Sequence, residues 1–198
     1  PKDVASAFTY FKKAADLGNP KGMYNAAVML SNGEGVPKNK ALASEYYRKA
    51  ADQGDINSMY NLAVLLHVGD GVPINIQWAA HYYKMAADQG DVKSMIQYAN
   101  LLSQGDGIAK NSTLALEYYK KAADADDADA MTACGLILLN KRDVASKASA
   151  ARYLRKAAQK GHPKAMYNYG CMLKNGYGIP IDEKEAVKYF KEAADKGD

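Results

Sequence analysis

Cysteine and long apolar runs are scarce in this chain, and each scarcity excludes a class of protein. Only two of the 198 residues are cysteines, Cys134 and Cys171, so no disulfide framework is predicted. We expect both to be small buried side chains, with a single bridge or a reactive thiol as the alternatives. No apolar run approaches the roughly 18 residues that a membrane-spanning helix requires, so we predict no membrane insertion.

The charge balance is mild. Lysine and arginine number 26, aspartate and glutamate number 22, and the net charge is +4. Nucleic-acid-binding proteins usually carry a concentrated basic stripe, and we see no such stripe in the sequence. We therefore predict no nucleic-acid partner.

Constellations typical of catalysis or metal binding are also missing. The three histidines, His67, His81 and His162, lie far apart with no second ligand at metal spacing, which favours solvated or packing roles. No Ser/His/Asp or Cys/His arrangement stands out, and neither does an acidic pair. We predict a protein that is not an enzyme and that has no cofactor and no bound metal.

What the chain does contain is a repeat that extends over its whole length. A tyrosine followed by a second large apolar residue recurs at intervals of 36, 36, 36, 35 and 36 residues, beginning at Tyr10, Tyr46, Tyr82, Tyr118, Tyr153 and Tyr189. A methionine near the start of an apolar run keeps the same period, at Met23, Met59, Met95, Met131 and Met166. Two motifs in phase indicate a true structural repeat.

Each period contains two amphipathic segments, which we call helix A and helix B. Residues 56–67 and 75–88 both place apolar side chains at spacings of three and four, as one face of a helix requires. Two short helices cannot bury their faces alone, so neighbouring repeats must stack. We predict an all-α fold, an α/α superhelical solenoid of about five 36-residue helix-turn-helix repeats plus an extra N-terminal helix B.

The predicted solenoid is one domain over residues 1–198, with full repeats at approximately 19–54, 55–90, 91–126, 127–161 and 162–197. Its first and last repeats look like internal ones and lack the polar faces that cap natural arrays. We therefore expect the chain to be part of a longer array.

Glycine pairs mark the turn from helix A to helix B. The Gly-x-Gly pattern could open a phosphate-binding loop, but it occurs four times, without the Gly-Lys-Ser/Thr ending or a preceding strand. We interpret it as a turn with positive φ, followed by Pro37, Pro73 or Pro180 and by a helix-capping residue. The predicted caps of helix B are Asn39, Asn75, Asn111, Ser146 and Asp182. The return turn, as in ADQGD at residues 51–55, supplies another glycine and a cap for the next helix A.

Repeat four departs from this pattern. Residues 140–146 lack both glycines and the proline, and one residue is missing. Two interpretations remain open. The first is sequence drift in a loop, because loops tolerate substitution. The second is a local change in the superhelix twist, or a specialised contact around Lys141 and Arg142.

These residues resemble the Sel1-like repeat family, a relative of the tetratricopeptide repeat. The resemblance covers essentially the whole chain and rests on Tyr60-Asn61-Leu62-Ala63, on Gly69-Asp70-Gly71-Val72 and on residues 79–90. It implies an α/α superhelix that acts as an adaptor in the assembly of protein complexes. The bacterial cysteine-rich branch of the family carries a bridging cysteine pair in every repeat, which this chain lacks.

A partner surface is expected on the concave face, which helix A lines in related arrays. By register this face holds Lys21, Tyr24, Val28 and Ser31; Asn57, Tyr60, Val64 and His67; Lys93, Ile96, Asn100 and Ser103; Asp129, Thr132, Leu136 and Leu139; and Lys164, Tyr167, Cys171 and Lys174. From this set we predict partner contacts at Lys21, Tyr24, Val28, Asn57, Tyr60, Val64, His67, Lys93, Ile96, Asn100, Tyr167 and Lys174.

Two interpretations of the recurrent Tyr-Asn pair in helix A remain open. Tyr24, Tyr60 and Tyr167 could form a broken aromatic row for recognition, or they could pack between adjacent A helices. The amides of Asn25, Asn61 and Asn168 could hold a peptide backbone or form bonds between repeats.

We predict a non-enzymatic scaffold that binds a protein or an extended peptide. The alternatives are an RNA-binding helical repeat, since such repeats have a similar period, or a regulatory subunit of an enzyme such as a ubiquitin-ligase complex of the endoplasmic reticulum. The sequence leaves the compartment open, with the cytoplasm favoured over the lumen of the endoplasmic reticulum. Only in the lumen would Asn111-Ser112-Thr113 be a glycosylation acceptor.

Overall fold

The structure, a computed structural model, describes residues 3–197, which form eleven α-helices and no strand. The helices are α1 (Val4–Asp16), α2 (Pro20–Asn32), α3 (Lys40–Ala51), α4 (Ile56–Val68), α5 (Ile76–Asp88), α6 (Val92–Gln104), α7 (Ser112–Asp124), α8 (Ala128–Leu139), α9 (Val144–Gln159), α10 (Pro163–Asn175) and α11 (Glu183–Asp195). The predicted all-α class and the order of an extra helix B followed by alternating A and B helices are confirmed.

Two compact units divide the chain, one ending at Asn111 and the other beginning at Ser112. In the first unit each helix from α1 to α6 packs against the next one along the chain. In the second unit the same holds from α7 to α11. Within each unit, helix B therefore lies against the A helices that precede and follow it, as stacking of repeats requires.

The core consists of the apolar faces that the helical spacing predicts. The five recurrent methionines of helix A are all buried, and so are the alanine pairs near the end of α3, α5, α7 and α9. In α4 the predicted face is buried at Met59, Leu62 and Ala63 and half-buried at Ile56 and Leu66. Because these buried alanine side chains are small, they allow adjacent helices to approach each other closely.

Both glycines of each Gly-x-Gly turn have positive φ, so the turn interpretation is confirmed. The first glycine ends helix A in the left-handed conformation, with φ of 80° at Gly33 and 77° at Gly69. The returning chain is then tied to helix A by a backbone bond, such as the 2.8 Å bond from the Asn39 N–H to the Leu30 carbonyl. Asn39, Asn75 and Asp182 cap helix B as predicted, each accepting a bond from a backbone N–H three residues on.

The second glycine of each turn has an additional role, because it touches the start of the preceding helix B. A Cβ at Gly178 would lie 2.7 Å from the carbonyl carbon of Lys147 and 2.8 Å from the backbone nitrogen of Ala148. A Cβ at Gly35 would lie 2.7 Å from the carbonyl oxygen of Val4. These distances are below van der Waals contact, so this position requires glycine for space as well as for its φ.

The turn from helix B to helix A is equally regular. Its glycines have φ between 84° and 98°. In the turn before α8, which lacks the glycine, Asp126 adopts the positive φ instead, at 68°. Helix A is capped by the residue that the sequence predicts in three cases, Asn19, Asp55 and Asp91, and Asp127 caps α8, where no cap was predicted. In the fifth case the cap is His162, whose Nδ1 accepts a bond from the Ala165 N–H.

The prediction that Ser146 caps helix B of repeat four is wrong. Helix α9 begins at Val144, three residues earlier than its position in the repeat, and its cap is Asp143. The Asp143 carboxylate accepts a 2.7 Å bond from the Ser146 N–H, which lowers the pKa of Asp143. Because no Gly-x-Gly-x-Pro segment holds the chain extended here, the first available cap starts the helix, and α9 reaches 16 residues.

Two serines at one repeat position lead to a stability prediction. The hydroxyls of Ser58 and Ser94 are buried and lack a hydrogen-bond partner, whereas Ala130 and Ala165 occupy the equivalent positions in repeats four and five. The double substitution S58A/S94A should raise the free energy of unfolding by about 1–2 kcal/mol, because it removes two unsatisfied hydroxyls without a change of packing. Urea denaturation followed by circular dichroism measures this effect. The reverse substitution Ala130→Ser should lower the stability, and an increase there would contradict the explanation.

Candidate functional site

Within each unit, the helix A positions that the register assigns to the partner face form a partly exposed surface, which we call the A-helix strip of that unit. Its first position is exposed in every repeat, at Lys21, Asn57, Lys93, Asp129 and Lys164. The second position is half-buried at Tyr24, Tyr60 and Ile96, buried at Thr132, and 52% exposed at Tyr167. The third position is half-buried in all five repeats, at Val28, Val64, Asn100, Leu136 and Cys171.

The tyrosine rings of the strip rest on helix B of the same hairpin. Tyr24 lies 6.1 Å from the ring of Tyr47, and Tyr60 lies 6.0 Å from the ring of Tyr83, measured between centroids. In the second unit Tyr167 lies 5.7 Å from Phe190. Each of these tyrosines thus packs against an aromatic ring of helix B in its own hairpin.

Two of the three asparagines of the Tyr-Asn pairs bond within their own helix. The side-chain amide of Asn25 donates to the Lys21 carbonyl at 2.9 Å, and that of Asn168 donates to the Lys164 carbonyl at 2.7 Å. These two bonds do not connect one repeat to another. Their position one residue after the tyrosine keeps a polar group at the edge of the strip.

The charge of the strip in the first unit has one sign. Helices α2, α4 and α6 contain no aspartate or glutamate, and their charged residues are Lys21 and Lys93. The Lys93 ammonium lies 5.9 Å from the centroid of the Tyr60 ring, a cation–π contact across adjacent A helices. His67 lies edge-on to Tyr83 at 6.1 Å. This surface is apolar, aromatic and weakly cationic.

In the second unit the strip is less uniform. Asp129 brings a negative charge to its first position in α8, and it lies 3.0 Å from Nε2 of His162. Lys174 is exposed at the end of α10. His162 thus caps α10 and contacts a carboxylate. Its position directly after Gly161 in the turn could have predicted the capping role.

The two cysteines are free and differ in burial. Cys134 is fully buried, and burial raises the pKa of its thiol to about 12. Cys171 is only half-buried, so the expectation of two buried side chains is confirmed for Cys134 and wrong for Cys171. Cys171 lies at the third strip position, where the other repeats also leave the side chain partly exposed.

A basic segment around α9 is a charged surface that the sequence prediction missed. Residues 141–160 contain seven basic residues and one acidic residue, and four of the basic residues belong to α9. A count over short windows would have found this segment, whereas the total charge averages it with the acidic turns. It contradicts the statement that the chain carries no concentrated basic stretch.

Within residues 3–197, no cluster of three or more histidine, cysteine or acidic side chains could hold a metal ion. None of the helices described in this range combines the length and the apolar character needed to cross a membrane.

A sequence model of the Sel1 repeat matches the whole chain as six segments, residues 1–19, 20–55, 56–91, 92–127, 128–162 and 163–198. The chain belongs to the Sel1 repeat family. Repeats of this family generally mediate protein–protein interaction and are typically non-catalytic. No curated protein matches the sequence.

Solved structures support the same family. A Sel1 repeat protein from Oxalobacter formigenes is 29% identical with a TM-score of 0.89, over 98% of this chain and 80% of that one. The protective antigen c5321 of uropathogenic Escherichia coli, which displays an SLR fold, is 28% identical with a TM-score of 0.85. That match covers 99% of this chain and 42% of c5321, so this chain spans less than half of that protein. Cysteine-rich protein B of Helicobacter pylori is 26% identical with a TM-score of 0.52, over 65% of this chain and 92% of that one.

Proposed function

We propose that the chain is a non-enzymatic scaffold that binds an extended segment of a partner protein on the A-helix strip of the first unit. Lys21, Tyr24 and Val28 on α2, Asn57, Tyr60, Val64 and His67 on α4, and Lys93, Ile96 and Asn100 on α6 would contact the segment. The strip of the second unit, with Tyr167 and Lys174, would add contacts of its own.

The observation that carries this proposal is the support beneath the strip. Tyr24 and Tyr60 are held by buried rings of helix B, so their exposed edges are fixed before a partner arrives. A fixed aromatic side chain loses little conformational entropy on binding, which favours affinity. The same support occurs in two successive hairpins, α2–α3 and α4–α5, as a surface for an extended chain requires.

The charge of the strip selects the chemistry of the segment. Lysines without neighbouring carboxylates on α2, α4 and α6 favour a segment that combines apolar or aromatic side chains with a few acidic ones. A strongly basic segment would meet only like charges there.

Affinity capture from an extract of the source cells tests the proposal. The variant K21E/K93E reverses the two strip lysines, and the matched control K13E/K49E reverses two exposed lysines of α1 and α3. We expect quantitative mass spectrometry to identify a protein that wild type and control retain and that K21E/K93E loses by about tenfold or more. Equal capture by all three proteins would contradict a role of the strip. Circular dichroism establishes that each variant is folded.

A further inference from the structure

The positive charge of this protein is concentrated in one segment. Residues 141–160 hold seven of the 26 basic residues and only one of the 22 acidic residues, so the segment has a net charge of +6 while the whole chain has +4. The basic residues are Lys141, Arg142, Lys147, Arg152, Arg155, Lys156 and Lys160. Outside this segment the chain is slightly negative.

The single carboxylate of the segment does not balance these cations. Asp143 is occupied as the cap of α9, where it accepts the Ser146 N–H. Lys160 pairs with Asp126, and Lys147 lies over the ring of Tyr177 at 5.5 Å. Arg152, Arg155 and Lys156 form no ion pair with any carboxylate in the described part of the chain. Arg152 lies over the ring of Tyr153 at 5.5 Å, a contact that leaves its positive charge without a carboxylate. Three cations on two turns of one helix are therefore available to an external anion.

Two cavities flank α9 and bring these cations together with neutral polar groups. The first, about 330 Å³, lies among α7, α8 and α9 and contains Lys120, Lys141, Ser146, Ser149 and Arg152 in its wall. The second, about 430 Å³, lies between α9, α10 and the turn that follows α10. Its wall contains Arg152, Arg155, Lys156, Gln159 and Tyr169. Arg152 borders both cavities, and no acidic residue lines either one.

One of the three cations departs from the repeat. The position of Arg152 is occupied by Glu45 in α3, His81 in α5, Glu117 in α7 and Lys188 in α11, whereas the position of Arg155 is basic in every helix B. The cavity beside α3 accordingly has mixed charge, with Glu45 and Arg48 in its wall next to Trp78 and Tyr82. Repeat four differs from its neighbours in charge as well as in the early start of its helix.

From this charge, the two cavities and the departure from the repeat, we infer that α9 and its flanking cavities are a second docking surface, which binds an acidic peptide segment of a partner protein. The guanidinium groups of Arg152 and Arg155 would each donate two hydrogen bonds to a glutamate or aspartate carboxylate, and Lys156 would add a point charge. This surface lies on helix B in the second unit and is independent of the A-helix strip.

The dimensions favour a peptide over a nucleic acid. Helix α9 is about 24 Å long, which an extended peptide of about seven residues covers. Burial raises the pKa of Tyr153 and of Tyr169 in the cavity walls, and the charges of Asp124 and Glu185 raise them further, so these two carboxylates lie near the cavities. They would repel a continuous phosphate backbone more than a short peptide, which carries carboxylates at only some of its positions.

Fluorescence anisotropy with two labelled probes tests the inference. One probe is a peptide of about eight residues in which glutamate alternates with alanine, and the other is an oligothymidylate of about the same length. Wild type should bind the peptide, and R155Q/K156Q should weaken that binding by about tenfold or more. The control R48Q/K49Q removes the same charge at the same repeat positions of α3 and should bind like wild type.

The variant Arg152→Glu keeps the test valid if the double variant folds poorly. Glutamate is the residue that α3 and α7 carry at this position, so the helix accepts it, and we expect the peptide affinity to fall by about tenfold or more. Tighter binding of the oligothymidylate than of the peptide would overturn the inference in favour of a nucleic acid. An equal loss in R48Q/K49Q, or no binding of the peptide by wild type, would also overturn it. Neither result bears on K21E/K93E, so the two proposals fail separately.

Discussion

Replacing Gly178 with alanine is expected to lower the free energy of unfolding by about 3 kcal/mol. About 1 kcal/mol of this comes from placing a residue with a Cβ at φ 75°. The rest comes from overlap of the new methyl group with the backbone of Lys147 and Ala148, which cannot move away as a flexible side chain could. Urea denaturation followed by circular dichroism measures the loss.

Gly54 provides the matched control, because it has a φ of 92° but nothing within 4 Å of its would-be Cβ. Gly54→Ala should therefore cost only the backbone component, about 1 kcal/mol. The difference between the two variants isolates the contact between the turn and the preceding helix B. Equal losses would show that this contact is unimportant and that both glycines serve φ alone.

Replacing Tyr83 with alanine should cost about 4 kcal/mol, the largest effect of a single truncation that we predict. Tyr83 is 2% exposed, and its ring contacts both Tyr60 and His67, which belong to the A-helix strip. The variant removes the support of two proposed contacts at once. Chemical denaturation should show the loss of stability, and Tyr83→Leu should recover most of it because α9 carries Leu154 at the same position.

The phenol of Tyr83 supplies a second readout. Burial raises the pKa of Tyr83 above that of an exposed tyrosine, so on titration to high pH the unfolded chain loses this proton first. Stability is then fully present below a pH of about 10 and declines as the pH rises further. Tyr83→Phe should reduce this alkaline decline. An unchanged pH profile in Tyr83→Phe would show that other buried phenols, such as Tyr47, govern it.

The helices could be predicted from the sequence because each signal occurs several times. A methionine or an alanine pair that recurs at a constant interval identifies a core face that a single occurrence would leave ambiguous. The Gly-x-Gly motifs could be interpreted as turns for the same reason, because a phosphate-binding loop would be needed once and this motif occurs four times.

The errors lie where the chain departs from its own repeat. Aligning Ser146 with Asn39 predicted the wrong cap, because Asp143 can cap equally well and comes first once the turn glycines are absent. The role of Tyr60 depends on which ring lies beneath it, and spacing along the chain does not identify that neighbour. The cations of α9 were overlooked because the net charge was weighed for the chain as a whole.

The contact between the second turn glycine and the preceding helix B also restricts how the length of this protein can change. The pairs Gly35–Val4, Gly71–Lys40, Gly107–Ile76 and Gly178–Lys147 all have the same separation of 31 residues. Duplication or deletion of one complete repeat recreates this separation at the new junction. An insertion of any other length between the two partners removes a contact. Growth and shrinkage of the gene by whole repeats therefore conserve the packing, which favours variation in the number of repeats over variation in their size.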